Sequence, residues 1–114
     1  MHELSIALSI VEIAQEEGER QGGRVSAVHL RLGALAGVVK DALLFSYEVA
    51  CQDTPLAGSR LLIEEMPLVV YCPVCEAQRV LDSVQELRCV VCGTPTPDVR
   101  GGRELQLVAL EVGE

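Results

Sequence analysis

Four cysteines fall in two C-x-x-C pairs, Cys72-Pro73-Val74-Cys75 and Cys89-Val90-Val91-Cys92, with thirteen residues between them. Each pair turns two sulfurs toward one centre, and the spacer lets the chain double back so that all four meet. Four soft thiolates leave no open position for a hard cation, and Zn²⁺ accepts tetrahedral geometry freely. A structural Zn(II) site at Cys72, Cys75, Cys89 and Cys92 is therefore expected in preference to a redox dithiol. Gly93 suits the turn after the second pair, because glycine takes positive φ without strain. Glu76 stands there after the first pair, so the two turns need not match. A site filled by four protein ligands has no place for substrate. It accounts for folding rather than for activity.

At 114 residues the chain has room for one ordinary domain, or for a small core plus a metal-held module. Only three residues are aromatic, so the core must come from Leu, Val, Ile and Ala. Nine basic against seventeen acidic residues give a net charge of −8, which argues against a zinc ribbon facing phosphates. No apolar run is long enough to span a bilayer, so no membrane association is expected. The N-terminus lacks the basic segment of a secretion signal, and thiols used as metal ligands suit a reducing cytoplasm.

Helical periodicity covers Leu4 to about Arg20, with an apolar stripe of Leu4, Ala7, Leu8, Val11 and Ala14 widened by Ile6, Ile10 and Ile13. Gln21-Gly22-Gly23 ends it. Arg24 to Leu32 alternates as a half-buried strand, Val28, Leu30 and Leu32 on one face and Ala27, His29 and Arg31 on the other. Residues 33–37 read as a turn and Val38 to Ala50 as a second helix, with Asp41 in its first turn. A strand follows over Arg60 to Met66. A short hairpin is expected between the cysteine pairs, from Arg79–Leu81 and Leu87-Arg88. Thr94-Pro95-Thr96-Pro97 and Gly101-Gly102 read as a linker, and Glu104 to Val112 as a returning strand. The expected fold is thus α/β or α+β, with an inserted zinc module. Residues 1–67 plus 103–114 form the main domain and 68–102 the module.

His2 is the next informative residue. The Met1 amine, the His2 backbone nitrogen and the His2 imidazole can close adjacent chelate rings around one ion. Such a short run of nitrogens favours square-planar Ni²⁺ or Cu²⁺ over tetrahedral Zn²⁺. Glu3 would add a carboxylate or support the ligands from behind. The ordinary fate of a chain end, however, is to be solvated. His29 is expected to be exposed or satisfied on the polar strand face, and Cys51 to be a buried structural thiol. No Ser/His/Asp pattern, P-loop or G-x-G-x-x-G motif makes a case for an enzyme.

Taken together, Met1-His2-Glu3-Leu4-Ser5-Ile6, His29-Leu30-Arg31-Leu32-Gly33 and the two C-x-x-C pairs followed by a terminal strand resemble the HypA/HybF family of hydrogenase nickel-insertion proteins. The resemblance runs the length of the chain. It implies a metallochaperone that delivers Ni(II) during maturation of [NiFe] hydrogenase. His2 would be the nickel ligand, Met1 and Glu3 accessory ligands, and Cys72, Cys75, Cys89 and Cys92 the Zn(II) ligands. It also implies an α+β fold, two helices against a three-stranded sheet with a protruding four-cysteine, zinc-ribbon-like module. A HypB-type GTPase and the hydrogenase large subunit would be partners, with the chain a monomer or homodimer. Some members carry histidines beside the zinc cysteines, where this chain has Glu76 and Gly93. Two other readings set against this one are a nucleic-acid-binding zinc ribbon and a rubredoxin-like iron electron carrier.

Overall fold

The structure, a computed structural model, describes residues 2–113. The order is α1 (Glu3–Gln21), β1 (Arg24–Gly33), α2 (Lys40–Cys51), β2 (Arg60–Met66), β3 (Leu68–Cys72), β4 (Ala77–Leu81), β5 (Val99–Gly101) and β6 (Leu105–Gly113). Two helices and two three-stranded sheets make an α+β fold, with strand orders β2-β1-β6 and β4-β3-β5. The chain divides into two compact units. The first holds residues 1–30, 38–64 and 106–114, the second residues 31–37 and 65–105.

In the first unit α1 packs on α2. Ala7, Ile10, Val11 and Ala14 of α1 meet Leu43, Tyr47, Ala50 and Cys51 of α2 and Val25, Val28 and Leu30 of β1 in one apolar core. The buried stripe of α1 is narrower than its sequence suggests, because Leu4, Leu8 and Ile13 are about half exposed. Small Ala7 and Ala14 let the helices approach, and the bulkier neighbours are left at the edge of that contact. Ala27 is buried although it alternates onto the polar strand face. It sits on the central strand of its sheet, where a methyl group is easily covered from both sides. His29 on the same face is half-buried and lies 2.7 Å from a Glu111 carboxylate oxygen, and is thus satisfied as expected. Cys51 is buried near Ser59, with Sγ 3.8 Å from its hydroxyl.

Helix α1 stops at Gly22, whose φ of +71° lets its N–H reach Glu19 O, while Gly23 N–H reaches Gly18 O. That pattern satisfies the last carbonyls of the helix. Helix α2 starts after Val39, a residue with no side-chain oxygen to cap it. Its N–H is instead taken by the Glu3 carboxylate.

The second unit departs from the expected organisation in two ways. Ala77–Leu81 pairs antiparallel with Leu68–Cys72 rather than with Leu87-Arg88. The segment read as a linker contains β5, which pairs with the other side of β3. Both changes have one cause. Leu68 and Val70 of β3 and Leu81 of β4 are fully or nearly buried, and they gather Leu35, Leu87 and Val99 around them. Apolar burial therefore centres on β3, and the polar Gln85-Glu86 stretch is left outside. Arg100 reinforces β5 by stacking 4.7 Å over the Tyr71 ring while it forms a two-pronged ion pair with Asp98. The turn over residues 31–37 belongs to this unit through Leu35 and through the Gly33 N–H, which donates to Glu104 O.

Candidate metal site

Strand β3 ends at Cys72, and the chain turns at once through Pro73 and Val74 to Cys75 before β4 begins. The Cys75 backbone N–H lies 3.4 Å from Cys72 Sγ, so the first knuckle wraps its own sulfur. The second knuckle repeats this with the Val91 N–H 3.4 Å from Cys89 Sγ. It is held at its base by Cys89 N–H to Thr94 O, Gly93 N–H to Cys89 O and a bridge between Arg88 and Pro95. The residue after each knuckle has positive φ, +52° at Glu76 and +76° at Gly93. The two turns therefore share a backbone form despite their different residues, and at Glu76 that form is strained.

The four sulfurs of Cys72, Cys75, Cys89 and Cys92 lie within 4.8 Å of one another. Cys72 and Cys92 are 3.6 Å apart, and Cys75 and Cys89 3.9 Å apart. A regular tetrahedron with metal–sulfur bonds of about 2.3 Å has edges of about 3.8 Å. The observed pairs bracket that length, and none of the cysteines is in a disulfide. The donor set and its dimensions fit one tetrahedral thiophilic ion, with no fifth position for a substrate.

Electrostatics give the same picture. The Cys92 and Val91 N–H groups and Arg79 hold the Cys89 thiol down at about 6, against the cost of burial. The Thr94 hydroxyl and N–H lower Cys92, whose Sγ lies 3.1 Å from Thr94 Oγ1. Arg79 also pulls Cys75 down, but the neighbouring sulfurs and burial outweigh it and push Cys75 up to about 11. Four negative charges cannot share so small a volume unaided, so the last thiol keeps its proton until a cation arrives. Arg79 and Thr94 escaped sequence reasoning. The Arg79 placement depends on the β3–β4 pairing, whereas Thr94 carried a faint signal as a hydroxyl two residues past a ligand. The second unit has five arginines against six carboxylates, so it carries no net positive charge.

The other predicted site residues belong to the first unit. His2 is exposed and caps the N-terminus of α1 with extended backbone, φ −94° and ψ 107°. Its carbonyl accepts the Ile6 N–H, and its ring makes no capping bond. Glu3, half-buried in the first turn, has its carboxyl lowered by the Val39 N–H that it accepts. The Met1 amine lies outside the described residues.

The comparisons with known proteins extend over nearly the whole chain. A family model described as hydrogenase/urease nickel incorporation, metallochaperone, hypA matches residues 1–112. The hydrogenase maturation factor HypA of Chloroflexus aurantiacus is 55% identical over 112 residues, covering 97% of this chain and 98% of the relative. The one of Roseiflexus sp. is 53% identical, covering 97% and 91%. Two solved structures share the fold. The solution structure of the Ni metallochaperone HypA from Helicobacter pylori has a TM-score of 0.64 at 19% identity, covering 98% of this chain and 97% of that one. A second HypA solution structure reaches 0.70 at 18% identity, with 98% and 96% covered. These are maturation factors rather than enzymes, and neither the ribbon nor the rubredoxin reading accounts for a match that begins at the first residue. The chain belongs to the HypA family of hydrogenase and urease nickel-incorporation metallochaperones.

Proposed function

We propose that this HypA-family chain carries Ni(II) on its N-terminus and hands it over during maturation of [NiFe] hydrogenase, while a Zn(II) held by Cys72, Cys75, Cys89 and Cys92 fixes the shape of the second unit. Nickel is cargo here, and its transfer is ligand exchange with no bond in a substrate broken. Residues 1–67 plus 103–114 act as the nickel domain and 68–102 as the zinc module. A HypB-type GTPase and the hydrogenase large subunit are the partners, in the cytoplasm.

The observation that carries the nickel reading is the state of His2. As the N-cap residue it donates no helical hydrogen bond, since the first amides of a helix have no partner within it. Its amide nitrogen has no partner within the helix, its residue is exposed, and the Met1 amine precedes them in sequence. Three nitrogens at an exposed helix start bind selectively, yet they leave the ion accessible to a recipient. The cysteine site supports the opposite role. Its four positions are all protein sulfur, and zinc there would supply cross-linking and charge neutralisation.

Titration calorimetry on untagged protein, on His2→Ala and on protein with a short N-terminal extension tests the nickel site. His2→Ala is expected to abolish specific Ni²⁺ binding and to leave zinc content unchanged. The extension should nearly match it, because the amine becomes a peptide nitrogen. Binding should weaken under acid conditions, because a protonated imidazole has no lone pair to give the ion. One stoichiometry and one affinity across all three forms would place the nickel site elsewhere.

A further inference from the structure

The four cysteines are not equally accessible. Cys72 and Cys89 are buried, Cys75 is half-buried, and Cys92 is exposed. Two of the sulfur pairs lie across the two knuckles, Cys72 with Cys92 at 3.6 Å and Cys75 with Cys89 at 3.9 Å. We propose that Cys92 is an oxidation site, at which a hydroperoxide is reduced and the sulfur is then captured by Cys72 as a cross-knuckle disulfide, opening the metal site. This rests on the metal-bound reading of the cluster.

The Cys92 thiolate attacks one peroxide oxygen; a sulfur–oxygen bond forms, the oxygen–oxygen bond breaks, and hydroxide leaves. Cys92 has lost two electrons and is a sulfenic acid. The Cys72 sulfur, 3.6 Å away, then attacks Cys92. A sulfur–sulfur bond forms, the sulfur–oxygen bond breaks, and a second hydroxide leaves. One peroxide has become two hydroxides, protonated by solvent, and two thiolates have become one disulfide. Two of the four ligands are thereby withdrawn from the ion. Cys75 and Cys89, 3.9 Å apart, are left to pair with a second equivalent of oxidant. Exposure decides the order, since thiolate oxidation follows access of the reagent to sulfur. Cys51 is buried in the other unit and stays reduced.

The test uses the full chain as purified, with metal content measured first and hydrogen peroxide added in steps. Trypsin cleaves after Arg60, Arg79, Arg88 and Arg100, which leaves one knuckle on each of two peptides. A cross-knuckle disulfide joins those peptides, and a disulfide within a knuckle leaves them separate. The expected first product is the joined pair with Cys72 bonded to Cys92, formed at the rate at which a chromogenic chelator captures the released metal. A cyclic 1,3-dione should trap sulfenic acid on Cys92 on the order of ten-fold faster than on Cys72 or Cys89. A first disulfide within either knuckle, earlier oxidation of Cys51, or metal retained after the Cys72–Cys92 bond forms would each overturn the proposal. Protein without metal before oxidant is added would instead overturn the zinc reading, and its peptide map would still decide the pairing.

Discussion

A carboxylate oxygen of Glu3 accepts the backbone N–H of Val39 at 3.1 Å, tying the first turn of α1 to the start of α2. Val39 has no side-chain oxygen, so the negative end of Glu3 serves the helix N-terminus that Val39 cannot serve for itself. Glu3 is thus a structural clasp beside the proposed nickel nitrogens.

Removing that clasp should be visible in a pH series. The Val39 N–H favours the ionised carboxyl, so the folded-state value lies below the unfolded one. The contribution is then fully present above the ordinary glutamate value of about 4.3, and is lost as pH falls through the lower folded value. Glu3→Gln should lower the thermal midpoint at neutral pH, with the gap to wild type closing under acid conditions. A gap that persists unchanged at low pH would show that the charge is not what the amide responds to.

The knuckle turns offer a contrast between two positions of like backbone. Glu76, at φ +52°, pays the left-handed penalty that Gly93, at φ +76°, avoids. Glu76→Gly should stabilise the metal-bound protein by about 0.5–1 kcal/mol, the strain relieved less the extra freedom of glycine in the unfolded chain. Gly93→Ala should destabilise by about 1–2 kcal/mol, although a methyl group there would meet nothing within 4 Å. Denaturant titrations of both variants check this. Equal and opposite signs to those given would mean that the turns relax on folding.

Much of this was legible in the sequence. Strand β2, both helices and the cysteine cluster follow from period, spacing and glycine placement, signals that act within about twenty residues. The second sheet was not legible. Its strands are short, and the choice of β4 and β5 as partners for β3 depends on Leu68, Val70 and Leu81 burying one another, which no local pattern reports. The exposure of Leu4 and Leu8 was hidden for a related reason. Periodicity gives the apolar side of a helix, but the width of the buried stripe depends on how closely α2 approaches.

Thr96 is fully buried, and its hydroxyl has no hydrogen-bond partner among the described residues, whereas its backbone N–H donates to Leu87 O. The hydroxyl bears the desolvation cost of a buried polar group, and the backbone bond does not depend on it. Thr96→Val keeps the shape and should stabilise the second unit by about 1 kcal/mol. A lower unfolding midpoint in chemical denaturant would show that the hydroxyl is satisfied in solution.

The strongest test of the division into units is removal of the metal. The first unit buries a connected core from α1, α2, β1 and the segments around Leu56 and Leu61. The second has Leu68, Val70 and Leu81 as its buried core cluster, too little apolar surface to order residues 65–105 unaided. Metal binding must supply the difference. Chelation, or Cys89→Ala, should therefore abolish amide protection in β3, β4 and β5 and leave α1, α2 and the Val28–Leu30 stretch of β1 protected. Hydrogen exchange read residue by residue decides it. If protection falls to the same extent in Ile10, Leu43 and Val28 as in Val70, the two units fold as one, and the cysteine site supports the whole chain.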